Sequence, residues 1–326
     1  MRKRRLVLLA VGALVGSLYV LNASWRVAPL ADASVQLISH RGVHQTYHRE
    51  GLKSDTCTAE RIDQPRHAYI ENTVPSMAAA FATGADIVEL DVHPTTDGYL
   101  AVFHDWTLDC RTDGAGETRS RDLAYLKSLD VAHGYTHDGG ATYPLRGKGV
   151  GLMPELREVL AAFPGKKLLV NFKSREAREG DMLASILADQ PQWRDHVWGV
   201  YGGHEPTQRA RETIGGDLAA WSRQTLVGCL GRYVALGWSG MMPAACRNTT
   251  IMVPINVAPW LWGWPNLLLQ RFAAADSTVI LTGPLSSGDP GAAGIDTLED
   301  LARVPPAFSG YLWTNRIELI GPALRR

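Results

Sequence analysis

At 326 residues, with 20% charged and 45% hydrophobic side chains, the chain can bury the core of one large domain, which excludes a disordered or low-complexity protein. Thirty-three Lys and Arg balance 33 Asp and Glu, and no basic run follows the first five residues. That balance speaks against nucleic acid as a partner.

At the start of the chain, Arg2, Lys3, Arg4 and Arg5 precede an uncharged apolar run over 6–21, and Trp25 stands where an interfacial aromatic would. The pattern is an export signal. Left uncleaved, it makes residues 1–25 a membrane anchor with its basic end in the cytoplasm, residues 26–34 a tether, and residues 35–326 an extracytoplasmic domain. Cleavage at the small-x-small site Ala31-Asp32-Ala33 would give a secreted protein instead.

Beyond the tether, short apolar runs alternate with helical patterns, which predicts βα units and a parallel sheet. Strands are predicted at 35–39, 87–92, 100–103, 167–172, 197–201, 250–255, 278–281 and 310–313, the eight that a closed (β/α)8 barrel requires. Helices are predicted at 74–83, 155–162, 179–188, 207–214, 264–275 and 297–301. Two polar, turn-rich stretches, 44–69 and 113–151, read as insertions at the rim where barrel active sites are built. Cys57, Cys110, Cys229 and Cys246 lack CxxC spacing and follow an export signal, so disulfides are expected. Cys229 and Cys246 close a local loop worth about 3 kcal/mol in the chain-entropy model, and Cys57 with Cys110 is the remaining pairing.

The strand at 87–92 is apolar and β-branched, yet it carries Glu89 and Asp91. Side chains alternate along a strand, so both carboxylates share one face while Val88, Leu90 and Val92 face the outer helices. Two like charges on a buried face are costly unless something positive stands between them. A hard divalent cation meets that need, as does pairing with Arg41 and Lys173 or solvation at the barrel mouth. His40-Arg41-Gly42 ends the first strand and His104-Asp105 ends the run at 100–103. Histidine exchanges protons near neutral pH and arginine offers a planar fork to phosphate oxygens, so the set composes a phosphoryl-transfer site.

These pieces, with Glu71-Asn72-Thr73, the block 84–92, Asp97-Gly98, Leu108, Arg111-Thr112, the block 153–160, Phe172-Lys173 and Trp313-Thr314-Asn315, run in an order that resembles the glycerophosphodiester phosphodiesterase family of TIM barrels. The resemblance implies His40 and His104 as general acid and base, Glu89 and Asp91 as ligands of Mg²⁺ or Ca²⁺, and Arg41, Lys173 and Trp313 as substrate contacts. Glu71 lies near the metal or orients Arg41. It further implies a cyclic phosphate, formed by a glycerol hydroxyl and opened by water to give glycerol 3-phosphate. Where the family has a third carboxylate ligand this chain has Asn171, whose amide oxygen can ligate but adds no charge, so weaker metal binding is expected. Two competing readings are a phospholipase D-like enzyme on lysophospholipids and a barrel that binds phosphodiesters without turnover.

Of the other histidines, His93 shares the parity of Glu89 and Asp91 and either lines the pocket or, the reading preferred, stands at a loop edge, and His44, His48, His67, His133, His137 and His204 lie in solvated loops. The run at 259–265, with Trp260, Trp262 and Trp264, either forms a wall for an apolar group or a membrane contact, or packs inward under the following helix.

Overall fold

The computed structural model describes Arg4 and residues 12–13, 16–30, 34–53, 56–286 and 293–325. The apolar runs pair into one sheet. Its parallel strands are β1 (Val35–Ser39), β2 (Ile87–Pro94), β4 (Lys167–Phe172), β5 (Val197–Gly202), β6 (Ala219–Ser222), β7 (Thr250–Pro254), β8 (Thr278–Thr282) and β9 (Gly310–Thr314). They run in the order β6-β5-β4-β2-β1-β9-β8-β7. This is an eight-stranded, nearly closed parallel barrel of the TIM type, with no hydrogen-bonded ladder joining β6 to β7.

Two strand expectations need correction. The run at 100–103 is not a stave: β3 (Leu100–Val102) folds back antiparallel on β2, with Val92 opposite Val102. The missing stave is β6, whose Ala-Ala-Trp-Ser is too short and too poor in β-branched residues to be read as a strand.

Alternation along β2 sorts the core. Val88, Leu90 and Val92 join the large cluster beneath the helices, whereas Ile87 joins Ile38, Leu169, Trp221, Ile280 and Trp313 inside the barrel. Glu89 and Asp91, having the parity of Ile87, therefore point inward. The helices are α1 (Val74–Ala82), α2 (Leu123–Ser128), α3 (Leu156–Ala162), α4 (Arg178–Asp189), α5 (His204–Ile214), α6 (Arg223–Leu236), α7 (Asn266–Ala273), α8 (Leu298–Ala302) and α9 (Ile317–Leu324). α2, α6 and α9 were not foreseen: α2 is six residues long, α6 contains Gly228 and Gly231, and α9 contains Pro322.

Both disulfides pair as expected, Cys57 with Cys110 and Cys229 with Cys246. The first ties the 44–69 insertion to the loop after β3. Among the described residues no helix is long and apolar enough to cross a membrane. Residues 6–11, 14 and 15 of the anchor run, and Ala31, Asp32 and Ala33, lie outside the described residues. The segment that follows the run is docked on the barrel: Asn22 Nδ2 donates to the Trp238 carbonyl (2.8 Å), Asn266 N–H to Ser24 Oγ (2.9 Å) and Gln270 Nε2 to the Ala28 carbonyl (2.7 Å).

Candidate active site

Parallel register sets side chains of equal parity into rows across the barrel. Asp91 stands opposite Asn171, Asn171 opposite Tyr201, and Tyr201 opposite Trp221. At the carboxyl end of this row lies a cavity of 270 Å³ lined by His40, Arg41, His104, Asn171, Lys173, Tyr201 and Trp313 among others. Tyr47, Leu52, Thr56 and Thr58 of the first insertion close one side of it.

Both inward carboxylates of β2 are held by several donors. Asp91 receives Asn72 Nδ2 (2.9 Å) and Asn171 Nδ2 (2.8 Å), and it pairs with Arg41 Nε (3.0 Å) and Lys173 Nζ (3.5 Å). Burial alone would raise its pKa, but Lys173 and Arg41 outweigh burial and keep it well below the usual carboxylate range. Glu89 accepts from the Tyr201 hydroxyl (2.7 Å) and the Arg41 backbone N–H (3.1 Å). Burial, reinforced by the neighbouring charge of Asp91, pushes its carboxyl up to about 8. Glu89 therefore holds its proton near neutral pH unless a further cation stands beside the pair. Two hard, buried carboxylates, one of which ionises at neutral pH only beside added positive charge, are a donor set that fits a divalent cation sharing its remaining positions with substrate and water. No cluster of three or more His, Cys, Asp or Glu is arranged to ligate an ion among the described residues.

Glu71 is turned to guanidinium groups, Oε1 accepting from Arg41 Nη1 and Oε2 from Arg111 Nη1, both at 3.0 Å. Of its two expected roles, this arrangement matches the orienting of Arg41. Asn171 directs its amide nitrogen, not its oxygen, at Asp91. Arg41 itself adopts φ +58°, and Gly42 follows at φ +79° where a Cβ would lie 2.8 Å from the Ser76 backbone, so only glycine fits that turn.

The two histidines are held in parallel ways by different partners. His40 Nδ1 lies 2.6 Å from Asn315 Oδ1, and Asn315 donates to Asp296 through its side-chain and backbone nitrogens, both at 2.7 Å. Its ring packs on Trp313 at 4.8 Å, with Nε2 3.8 Å from Glu89. His104 Nδ1 lies 2.6 Å from Asp105 Oδ1, and Arg111 Nε donates to Asp105 Oδ2 at 2.8 Å. Burial first, then the charge of Arg41, lowers both imidazoles, His40 further than His104.

Two histidine expectations are overturned. His93 is fully buried on β2, its Nε2 3.3 Å from the His104 carbonyl, because β2 runs two residues beyond the predicted strand end. His44 is buried edge-on against His40, with ring centroids 6.1 Å apart. His48 and His137 are solvent-facing, while His67, His133 and His204 are partly covered. In the tryptophan run, Trp262 donates to the Val234 carbonyl (2.8 Å) and Trp264 packs on Phe308. Trp260 is 85% exposed, and none of the three lines the cavity.

The model of the glycerophosphoryl diester phosphodiesterase family matches residues 40–195, which span His40, Glu71, Glu89, Asp91, His104, Asn171 and Lys173. Residues 40–195 belong to that family. Among curated relatives, the glycerophosphodiester phosphodiesterase of Caldanaerobacter subterraneus subsp. tengcongensis is 36% identical over 103 residues, 32% of this chain and 39% of that one. The Bacillus subtilis glycerophosphodiester phosphodiesterase is 40% identical over 96 residues, 28% and 31% of the two chains. The chain thus spans about a third of the length of the curated relatives it matches. The fold of the family extends further than its sequence signal. The glycerophosphoryl diester phosphodiesterase domain of a Mycobacterium tuberculosis protein superposes with TM-score 0.63 at 15% identity, over 90% of this chain and 98% of that one. An Oleispira antarctica phosphodiesterase in complex with the product sn-glycerol-3-phosphate gives 0.55 at 18% identity, over 89% and 97%.

Sequence reading missed Tyr201, Asp296, Asn72, Asp105 and Arg111 as members of the site. Asn72, Asp105 and Arg111 lay within quoted blocks without a role, and Tyr201 closed a predicted strand whose register against Asn171 only the structure gives. Nothing in the sequence pointed to Asp296.

Proposed function

We propose that the chain hydrolyses glycerophosphodiesters to glycerol 3-phosphate and an alcohol, using His40 and His104 as base and acid. The observation that supports this most is the matched mounting of the two rings on one cavity: each has Nδ1 tied to an oxygen, which leaves Nε2 for chemistry. The partners divide the roles. A neutral amide behind His40 favours the uncharged ring of a base, and the carboxylate of Asp105 behind His104 stabilises the imidazolium of an acid. His40 Nε2 takes the proton of a glycerol hydroxyl as that oxygen attacks phosphorus, and His104 protonates the departing alcohol oxygen as its bond to phosphorus breaks. Water opens the resulting cyclic phosphate with the roles exchanged. Arg41 and Lys173 hold phosphoryl oxygens. Glu89 and Asp91, with Asn171 beside them, would hold Mg²⁺ or Ca²⁺, which when bound offsets phosphoryl charge and lowers the pKa of the attacking hydroxyl.

The same reading keeps residues 1–25 as an anchor and the barrel extracytoplasmic, supported by the apolar run and by two disulfides suited to an oxidising compartment.

Turnover of glycerophosphocholine, with Mg²⁺ or Ca²⁺ and with chelator, tests the proposal. His40→Ala and His104→Ala are each expected to lower kcat by about 10²–10⁴ with the fold intact. Retention of most turnover by either variant removes that residue from the mechanism. Absence of turnover on any diester with either ion would leave a phosphodiester-binding barrel.

A further inference from the structure

The exposed apolar side chains are not scattered. Of the sixteen large ones among the described residues, ten are Tyr19, Val20, Leu21, Trp25, Val227, Val234, Leu236, Trp238, Met241 and Trp260. Hydrogen bonds knit their segments into one quadrant: Asn22 to the Trp238 carbonyl, Arg271 to Asn22 and the Gly237 carbonyl, and Trp262 to the Val234 carbonyl. Val227 and Val234 are seven residues apart and share a face of α6. The Cys229–Cys246 disulfide fastens the turn carrying Trp238 and Met241 to that helix.

The segments that carry these side chains contain no acid. Residues 218–275 hold four arginines (Arg223, Arg232, Arg247 and Arg271) and not one Asp or Glu, although 33 acids in 326 residues would put about six there. Residues 1–31 are likewise free of acid and hold Arg2, Lys3, Arg4, Arg5 and Arg26. A protein with balanced charges thus has no acid in the two segments that meet where the apolar run reaches the barrel.

We infer that this quadrant lies flat against an anionic lipid bilayer. Exposed tryptophans and arginines suit the headgroup layer, where an indole keeps its ring in hydrocarbon and a guanidinium meets phosphate. A second copy fits less well, because a two-fold contact would set the arginines of one face against those of the other. None of the ten side chains lines the active-site cavity, so the contact orients the barrel and takes no part in holding substrate. The inference rests on the anchor reading, since the end of the apolar run brings this face to the membrane.

The full chain, mixed with vesicles of equal phosphatidylglycerol and phosphatidylcholine, gives separate readouts for the two ideas. Flotation reports the anchor. Quenching of tryptophan emission by brominated acyl chains reports the face. Trp25 belongs to the anchor, so two of ten tryptophans, Trp238 and Trp260, report the face, and they are expected to account for about two-tenths of the emission. That share of the loss should disappear in Trp238→Phe/Trp260→Phe, persist in Trp106→Phe, whose ring is exposed elsewhere, and weaken in pure phosphatidylcholine. A chain that floats but shows equal quenching in wild type and double variant overturns the docking face and leaves the anchor standing. Equal quenching in neutral and anionic vesicles overturns the anionic assignment. A chain that does not float removes the anchor and this inference together, and a dimer that only the double variant loses would assign the face to a second copy.

Discussion

Asn315→Ala isolates how His40 is held. The ring is 4% exposed and its Nδ1 is 2.6 Å from Asn315 Oδ1. While that oxygen accepts, the proton stays on Nδ1 and Nε2 keeps the lone pair a base requires. Without it, a buried N–H has no acceptor, a defect of about 1–3 kcal/mol. The ring avoids the defect by moving its proton to Nε2, the tautomer that cannot serve as base. At about 1.4 kcal/mol per tenfold change, the active tautomer and kcat should fall about 5- to 150-fold. KM should stay within about twofold, because Asn315 touches the ring and does not line the cavity. Steady-state turnover of glycerophosphocholine, together with ¹⁵N shifts of the imidazole, measures both quantities. A kcat within twofold of wild type, or a loss confined to KM, would show that the Asn315 contact does not set the tautomer of a catalytic base.

Two further outcomes follow from the surroundings of the row. Asn171→Glu restores a carboxylate opposite Asp91 and should tighten Mg²⁺ or Ca²⁺ binding on the order of tenfold by calorimetric titration; an unchanged titration means that position 171 is no ligand. His93 is buried and uncharged, its pKa lowered by burial from 6.5 to about 3. The unfolded chain therefore takes up this proton first, and stability is lost as pH falls below about 6.5, by about 1.4 kcal/mol per unit. Urea midpoints between pH 6.5 and 5 should fall less steeply in His93→Gln; identical slopes would mean that His93 does not carry the pH dependence.

What could be read from the sequence was whatever a local rule enforces. Parity alone placed Glu89 and Asp91 inside the barrel, and the cysteine count with an export signal gave both disulfides. What escaped depends on partners distant in sequence. Asp296 reaches His40 only through Asn315, across 256 residues of chain, and no periodicity marks such a link. β6 was missed because four residues buried by their neighbours need little strand propensity of their own, and the run at 100–103 was misassigned because strand propensity does not distinguish a barrel stave from a hairpin arm. His93 was misplaced for the opposite reason: the histidine and proline at the end of β2 read as a loop, yet antiparallel pairing with β3 extends the strand past them.

The charges around the cavity connect the proposed substrate to the proposed cation. Four carboxyl groups, Glu71, Glu89, Asp91 and Asp105, face three cationic side chains, Arg41, Arg111 and Lys173, and burial with the charge of Asp91 keeps Glu89 protonated until further positive charge arrives. In the proposed reading a divalent cation and a singly charged phosphodiester together supply one positive charge, and the balance closes. The product is a phosphomonoester carrying about −1.5 to −2 at neutral pH. With product bound, the cluster returns to a negative excess in surroundings of low dielectric, where an unmatched charge is costly. On the proposed reading the buried carboxylates therefore favour the diester over its own product, which would speed release without any moving part.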